Sequence, residues 1–401
     1  MEKLEPDVAV MLNKVANKDK MSTLSYEVEE KTKSESGYLG TMYYVIIHYD
    51  EKHIERYVVI KKALEKQKIR RNFPISRIFQ NECLFYNKIW PTLLSFQELY
   101  YGTGKARFNK IPTCHVVSEK HDQLVLENLK YKNFKPAERR LFYDKEHLEL
   151  ILKEYGKFHG VSMAYKLKFN KQFKYYTAKM YDFWKDINKL PAMKVYLEIT
   201  MHQCYAYLVS ESKKGPMIGF LKYAQDLEKS MRPTRYCDDY SVILHGDCWS
   251  HNIMLKYNDS GKPIDLRLID FQFAYVGTPV YDLSYLIYSG GTKEIFDELD
   301  HYLEVYHESL RNTLRKYECD PDTYPFHMLK YEWTRYSNFG FVMGLVLIKE
   351  KFMYENKEMT LSEIIDNIDN LKDFDKTRFD IEEVKKKSLE LIDHRFKMAI
   401  M

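Results

Sequence analysis

The chain has 401 residues, of which 45% are hydrophobic and 30% charged, a composition typical of a globular protein with about two lobes. The formal net charge is +4 and the two signs are interspersed. We therefore expect no nucleic-acid partner, because nucleic-acid-binding proteins usually concentrate basic residues on one face.

The spacing of the cysteines and the length of the apolar runs indicate in which cellular compartment the protein is expected. None of the six cysteines has the C-x-x-C spacing of a zinc site, and a disulfide scaffold is implausible at this length. The charged residues 1–20 do not resemble a secretory signal. The apolar run at residues 339–348 is shorter than the roughly 20 residues of a membrane span, which favours a buried helix. We expect a cytoplasmic protein with no membrane span and predict no oligomeric state.

The first part of the chain predicts a small sheet. Residues 1–30 indicate an N-terminal helical extension, read as an exposed helix and a polar linker. Two β-rich runs, TMYYVIIHYD and RYVVIKK, flank a polar turn at residues 50–53 and predict a hairpin. The next run, RIFQNECLFYNKIWPTL, has helical spacing up to Pro91, and QLVLENL indicates a buried strand. Residues 31–130 therefore predict an antiparallel sheet with one helix.

Residues 131–401 predict a larger, mainly helical lobe. KEHLELILKEYGKFHGVSM and EIFDELDHYLEVYHESLRNTL repeat apolar residues at helical spacing. One segment interrupts the helices, because SVILHGDCWSHNIMLKYNDSGKPIDLRLIDFQ contains three short strand-like runs and an NDSG turn. The predicted fold class is α+β: bilobal and protein-kinase-like, with a small antiparallel-sheet N-lobe and a large helical C-lobe.

The interrupting segment carries the predicted chemistry. Asp247 and Asn252 lie on a loop between short strands, and Asp270 follows the last strand. Two carboxylates and an amide at one end of a sheet suit Mg²⁺, which prefers oxygen ligands. Their spacing matches H-R-D-x-x-x-x-N and D-F-G of protein kinases, in which the first Asp accepts the hydroxyl proton and the other two residues hold metal. The alternative to a catalytic site is that HGD forms an ordinary turn and Asp270 caps a helix. The three positions in register favour Asp247 as the catalytic residue, with Asn252 and Asp270 as metal ligands.

The segment from His245 to Tyr285 resembles the insect ecdysteroid kinase-like (CHK kinase-like) family of the choline kinase and aminoglycoside phosphotransferase superfamily. The resemblance is carried by HGDCWSHNIM, KPIDLRLIDFQ and GTPVYDLSYL, and extends more loosely over about residues 30–350. His251 stands where the family motif H-G-D-x-W-x-N-N has its first Asn, and Asn252 is the second. The resemblance implies ATP and Mg²⁺ as cofactors. We expect His245 and Asp282 to organise the loop.

A kinase also needs a lysine that pairs with the ATP phosphates and a helical glutamate that holds it. Lys62 fits the family pattern K-x-L-P, with Glu65 in place of the proline, whereas strict strand alternation could point Lys61 inward instead. We predict Lys62; either lysine could also be a solvated residue at the strand end. The helix FQNECLFY resembles the family's F-x-x-E-x-x-x-Y and makes Glu82 the partner, unless Glu82 is exposed on the surface.

Two further segments are predicted to contact the nucleotide. SESGYLGTMYY occupies the position of the phosphate-covering hairpin, where Gly37 and Gly40 would let backbone amides approach phosphates. LVLENL resembles the family's hinge L-x-L-E-D-L, with Asn128 in place of Asp. The backbone groups of Glu127, Asn128 and Leu129 are therefore expected to bind adenine.

The acceptor is predicted to be a small-molecule alcohol, because no A-P-E motif of protein kinases follows DFQ. The segment 165–235 precedes the catalytic motif and supplies an aromatic acceptor wall, formed by Tyr175, Tyr176, Tyr181, Phe183 and Trp184. Aromatic walls suit steroids and also choline-type cations. The resemblance favours an ATP-dependent kinase for a steroid (ecdysteroid-like) or xenobiotic hydroxyl. A choline or ethanolamine kinase and a non-catalytic kinase-fold binding protein remain as alternatives.

Overall fold

The computed structural model describes residues 4–21, 25–32, 39–49, 54–102, 107–138, 140–225, 239–354, 361–366 and 378–398. The predicted turn at residues 50–53 lies outside these ranges. The five cysteines within them form no disulfide.

The first lobe is built on a five-stranded antiparallel sheet with the order β1-β2-β3-β5-β4. Its strands are β1 Ser25–Lys31, β2 Gly40–Tyr49, β3 Ile54–Ala63, β4 Cys114–Ser118 and β5 Gln123–Glu127. The predicted hairpin is β2 and β3, which pair from Gly40 with Ala63 to Tyr49 with Ile54. Because β1 belongs to this sheet, the sheet begins inside the segment predicted as the 1–30 extension.

Helix α1, Pro6–Asp19, packs against one face of this sheet. Its apolar residues at helical spacing form one buried cluster with alternate residues of the strands: Val8, Met11, Leu12, Val15, Tyr43, Val45, Ile47, Val58 and Ile60. The expectation of an exposed helix is therefore wrong. The alternation also determines which side chains lie on the other face of the sheet: those of residues 57, 59 and 61 of β3 must point away from α1.

Helix α3, Ile75–Leu84, packs against β3 and β5 of the sheet, with α2 Gln67–Asn72 before it and α4 Trp90–Tyr101 after it in the chain. A π-helical turn, Phe85–Ile89, joins α3 to α4. Pro91 does not end the predicted helix; it lies at the start of α4, directly after the π-helical turn.

The second lobe is mainly helical. Its helices are α5 Lys145–Lys168, α6 Asn170–Thr177, α7 Phe183–Asp186, α8 Pro191–Ser210, α9 Lys214–Gln225, α10 Pro279–Gly290, α11 Lys293–Asp297, α12 Leu299–Lys316, α13 Phe326–Tyr336, α14 Asn338–Lys351, α15 Leu361–Asp366 and α16 Ile381–Met398. The apolar run 339–348 lies buried in α14, as predicted. In the described ranges, no helix combines the length and apolarity that crossing a membrane requires.

Two small sheets interrupt these helices at the predicted place. One pairs β7 Val242–Leu244 with β10 Tyr275–Gly277. The other has the order β6-β8-β9, in which β6 is Lys135–Pro136, β8 is Ile253–Tyr257 and β9 is Pro263–Leu268. The predicted α+β fold, with a small antiparallel-sheet lobe followed by a large helical lobe, is confirmed.

Lys351, in α14, is a buried lysine whose protonation links the stability of the fold to pH. Its ammonium is buried, donates to the Leu141 carbonyl at 2.6 Å and lies 4.8 Å from the centre of the Phe142 ring. Burial lowers the pKa of Lys351 to about 7. Between that value and the unfolded lysine value of about 10.4, the unfolded chain binds one more proton, so this group makes the fold more stable as pH rises.

We predict that the free energy of unfolding of the wild type, relative to Lys351→Met, rises between pH 7 and pH 10, by at most about 1.4 kcal/mol per pH unit. Urea unfolding of both proteins at several pH values measures this difference. A difference that stays constant with pH would mean that Lys351 remains protonated in the folded state.

Candidate active site

The loop between β7 and β8, residues 245–252, is the catalytic loop predicted from the sequence. Gly246 has φ 80°, and a Cβ at this position would lie 2.0 Å from the Phe273 carbonyl oxygen, so only glycine fits. The buried carboxylate of Asp282, in α10, accepts hydrogen bonds from the backbone amides of His245 (2.7 Å) and Gly246 (3.0 Å). His245 in turn contacts the Ile269 carbonyl through Nε2 at 2.9 Å. Both residues therefore organise the loop, as expected.

Both carboxylate oxygens of Asp247 are held by neighbouring side chains. The Asn252 amide nitrogen donates to Oδ2 at 2.8 Å and to the Asp247 backbone carbonyl at 2.9 Å. The Tyr285 hydroxyl donates to Oδ1 at 2.6 Å. Burial raises the pKa of Asp247 to about 7, although the hydrogen bond from Tyr285 acts in the opposite direction. The spacing of Asp247 and Asn252 in the sequence thus becomes a direct contact.

Lys61 joins the two lobes. Its ammonium lies 2.7 Å from Oε2 of Glu82, in α3, and 2.6 Å from Oδ1 of Asp270, which follows β9. Burial by itself would lower the pKa of Lys61, but the charges of Asp270 and Glu82 outweigh it and the pKa is raised. Glu82 is 0% exposed, which rules out the alternative of a surface glutamate, and burial raises its pKa to about 7. An unpaired charge would be costly at this depth, so the three groups stabilise one another.

Lys62 points to the face of the sheet opposite to that of Lys61, and the prediction that Lys62 is the lysine held by Glu82 is wrong. Its ammonium contacts Glu5 at 2.7 Å, Asp7 at 2.8 Å and Glu65 at 2.9 Å, on the side of α1. The physical reason is the alternation of β3, which sends neighbouring side chains to opposite faces. Lys61 therefore takes the position that the sequence assigned to Lys62.

Asp270 has a left-handed backbone, with φ 68° and ψ 64°. Aspartate tolerates this region better than most residues, and such conformations are concentrated at functional sites. Asp270 precedes a short 3₁₀ turn but makes no side-chain cap hydrogen bond to it, so the helix-cap alternative fails. The next residue, Phe271, stacks on Phe85 with ring centres 3.9 Å apart, which holds the DFQ segment against the first lobe.

The residues of this site fit a magnesium ion. Because the Asn252 amide nitrogen is turned toward Asp247, the amide oxygen faces away from it, as a metal ligand would require. Asp270 adds a carboxylate. Within the described residues, no group of three or more His, Cys, Asp or Glu could hold a metal. Two protein ligands suffice for Mg²⁺, which commonly takes its other ligands from phosphates and water.

The predicted phosphate-covering hairpin is only partly described. Gly37 lies outside the described residues. Gly40 begins β2, and a Cβ there would lie 2.6 Å from the Lys62 carbonyl oxygen, so close strand packing already requires glycine. A role for the two glycines in phosphate binding stays a prediction.

The predicted adenine segment follows β5. Several of its backbone groups already have partners. The Glu127 amide donates to the Thr113 carbonyl at 2.9 Å, the Asn128 amide to the Tyr57 carbonyl at 3.0 Å, and the Leu129 carbonyl accepts from the Phe134 amide at 3.2 Å. The Asn128 side chain accepts from the Lys130 amide at 3.1 Å and stabilises the turn itself. Contacts from Glu127, Asn128 and Leu129 to adenine stay predictions.

Two buried side chains connect the parts of the site: Asn81, which the sequence did not single out, and Trp184, which was predicted to be part of the acceptor wall. Asn81, beside Glu82 in α3, donates to the carbonyls of Gln272 (3.1 Å) and Ala274 (2.7 Å) and accepts from the Tyr181 amide at 2.9 Å. Trp184 donates to the carbonyl of Gly246 at 2.8 Å. Half of the residues of α3 are polar, so no pattern in the sequence distinguishes Asn81, and the spacing indicates no contact between Trp184 and the catalytic loop.

The aromatic segment contributes less to an open wall than predicted. Phe183 and Trp184 are 2% and 3% exposed and pack against Phe273, with ring centres 4.6 and 5.6 Å away. They are therefore core residues, because a fully buried ring has no face left for a ligand. Tyr175 is exposed and Tyr181 is partly buried. Residues 226–238 of the predicted acceptor segment lie outside the described ranges.

Comparisons with known proteins agree with this arrangement. A sequence model of the ecdysteroid kinase-like family matches residues 34–319, well over half of the chain, and this range contains every residue of the candidate site named above except Glu5 and Asp7. A solved Plasmodium vivax ethanolamine kinase is similar over 92% of this chain and 90% of its own, at 13% identity and a TM-score of 0.43. No curated protein matches the chain.

The two neighbouring lysines form a matched pair for mutation. We predict that Lys61→Met lowers kcat for phosphoryl transfer by about 100-fold or more, because it removes the positioned charge between Glu82 and Asp270. Lys62→Met should keep most of the turnover and lower thermal stability, since it leaves Glu5, Asp7 and Glu65 without their shared cation.

Steady-state kinetics and thermal unfolding of both variants measure these effects. Loss of turnover in Lys62→Met with full turnover in Lys61→Met would contradict the placement of the two side chains.

Proposed function

This chain belongs to the ecdysteroid kinase-like family, which supports a small-molecule kinase, and we propose that it transfers the γ-phosphoryl group of ATP to a hydroxyl of a steroid (ecdysteroid-like) or xenobiotic alcohol with the help of Mg²⁺. The observation that carries the proposal is the buried Lys61 ammonium between Glu82 and Asp270. A fold that had no use for phosphates would gain little from keeping three charged groups buried, because apolar residues are often as stable there.

Each charged residue has a role in the proposed reaction. Lys61, held by Glu82, would pair with phosphate oxygens and align them. Asn252 and Asp270 would hold Mg²⁺, which supplies positive charge to the phosphate oxygens. Asp247 would orient the acceptor hydroxyl and take its proton while the acceptor oxygen bonds to the γ-phosphorus and the bond from that phosphorus to ADP breaks.

The charges around the aromatic segment favour a neutral alcohol over choline or ethanolamine. The Arg77 guanidinium lies 3.9 Å from the centre of the Tyr181 ring, and the Lys179 ammonium lies 4.7 Å from that of Tyr175. A choline-type ligand needs aromatic faces for its own cation. Here two tyrosine faces of the proposed acceptor wall already carry side-chain cations, which would repel a cationic ligand.

A non-catalytic binding protein is the less favoured alternative, because Lys61, Glu82, Asp247, Asn252 and Asp270 are all present and in contact as described. We also propose a cytoplasmic location and no nucleic-acid partner, on the composition and charge of the chain.

The central experiment tests the acceptor. We expect the protein, incubated with Mg²⁺ and radiolabelled ATP, to phosphorylate a hydroxyl of at least one ecdysteroid or plant phenolic. Choline and ethanolamine are included as competing acceptors. Asp247→Asn is the matched control, because it keeps the shape of the side chain but should lower turnover by about 10²–10⁴-fold.

Phosphorylation of choline or ethanolamine alone would contradict the proposed acceptor class. Tight Mg·ATP binding with no transfer to any acceptor in the panel would favour the non-catalytic alternative.

The metal site has its own test. We predict that Asp270→Asn weakens the affinity for ATP more in the presence of Mg²⁺ than in EDTA. Under both conditions it removes a charged partner of Lys61, but only with Mg²⁺ does it also remove a metal ligand, and asparagine still tolerates the left-handed backbone. Calorimetric titration with ATP, with and without Mg²⁺, measures the effect. Asp259→Asn, in the exposed turn after β8, is the control with the same chemical change. Equal losses with and without Mg²⁺ would mean that Asp270 holds no metal.

A further inference from the structure

Tyr285 contacts the proposed base directly and has no role in the reaction as described so far. It lies in α10, three residues after Asp282 and hence on the same side of the helix. Its side chain is buried, at 2% exposure, and its hydroxyl donates to Oδ1 of Asp247 at 2.6 Å. The phenol therefore reaches the carboxylate from the interior of the second lobe.

The hydrogen bond from Tyr285, together with the one from Asn252, fixes the orientation of the Asp247 carboxylate. A carboxylate held by one hydrogen bond can still rotate about the bond to its Cβ, whereas donors on both oxygens fix its plane. Asn252 supplies the second donor at Oδ2, but its amide is also the proposed metal ligand. Tyr285 is not a proposed metal ligand, so its hydrogen bond to Asp247 does not depend on what occupies the metal site.

The ring of Tyr285 is itself held by its neighbours. It packs against Trp184, in α7, and Phe339, in α14, with ring centres 6.0 and 5.9 Å away. Asp282, on the same helix, holds the backbone of His245 and Gly246. Helix α10 thus fixes the catalytic loop twice, at its backbone through Asp282 and at the Asp247 side chain through Tyr285.

We propose that Tyr285 is a positioning residue for phosphoryl transfer, whose hydroxyl fixes the orientation of the Asp247 carboxylate toward the acceptor. The inference rests on the proposed role of Asp247 as the group that orients the acceptor and takes its proton. Tyr285 acts through Asp247 and exchanges no proton with the substrate.

The test compares Tyr285→Phe, Asp247→Asn and the double variant. The probes are Mg·ATP with water as acceptor and Mg·ATP with the panel alcohol that the wild type phosphorylates fastest. Tyr285→Phe should lower kcat by about 10- to 100-fold, the range for losing a hydrogen bond to a charged group, with KM for ATP unchanged. The double variant should be no slower than Asp247→Asn alone, because the hydroxyl acts only through the carboxylate.

Tyr155→Phe is the matched control. It removes another buried phenol hydroxyl of the same lobe, one for which no hydrogen-bond partner is found among the described residues. We expect its kcat to equal that of the wild type. This result would show that the loss of a buried tyrosine hydroxyl does not by itself lower turnover, so the effect of Tyr285→Phe is specific to Tyr285.

The outcomes separate this inference from the proposed function. Wild-type turnover in Tyr285→Phe, with a large loss in Asp247→Asn, would overturn the inference and leave the function in place. Wild-type turnover in Asp247→Asn would overturn the proposed role of Asp247 and the inference with it. Additive losses in the double variant, a raised KM for ATP, or a Tyr285→Phe protein that does not fold would assign Tyr285 to stability and also overturn the inference.

Discussion

The buried ion group of Lys61, Glu82 and Asp270 is the interaction on which the rest of the site depends. It connects a strand and a helix of the first lobe to the segment after β9 in the second. Removing one member would leave an unpaired charge at a depth where water cannot compensate for it. The group therefore sets how closely α3, the sheet and the DFQ segment approach one another, and a bound nucleotide would meet a lysine that is already in place.

Neutral hydrogen bonds position the remaining parts around this ion group. Asn81 binds the backbone on both sides of Phe273 and also the amide of Tyr181. Trp184 binds the carbonyl of Gly246 in the catalytic loop. One short stretch of the chain, residues 181–184, is thus bonded both to the glutamate-bearing helix and to the loop with the proposed base. Backbone carbonyls and amides are obligatory partners, so these contacts leave little freedom for either loop.

Helix α1 packs on the outer face of the first lobe, where Asp7 and the N-cap residue Glu5 bind Lys62 on the face of the sheet opposite to Lys61. Neighbouring lysines of one strand therefore bind two different parts of the protein: Lys61 binds Glu82 and Asp270, and Lys62 binds the start of the N-terminal helix. The same alternation that separates them makes β3 the strand that connects the hydrophobic cluster under α1 with the ion group.

The sequence by itself determined the order of the elements, the bilobal fold and the positions of Asp247, Asn252 and Asp270, because these three lie near strand ends where local spacing decides what can meet. Tertiary structure alone decided which lysine contacts Glu82 and Asp270, since a shift of one residue in strand register exchanges the two faces. It also decided that Trp184 and Phe183 are core residues and that Asn81 and Tyr285 contact the catalytic segments. Those contacts join residues 38 to 193 positions apart in the chain. Contacts at such separations depend on how the helices pack together, so no repeating pattern in the sequence predicts them.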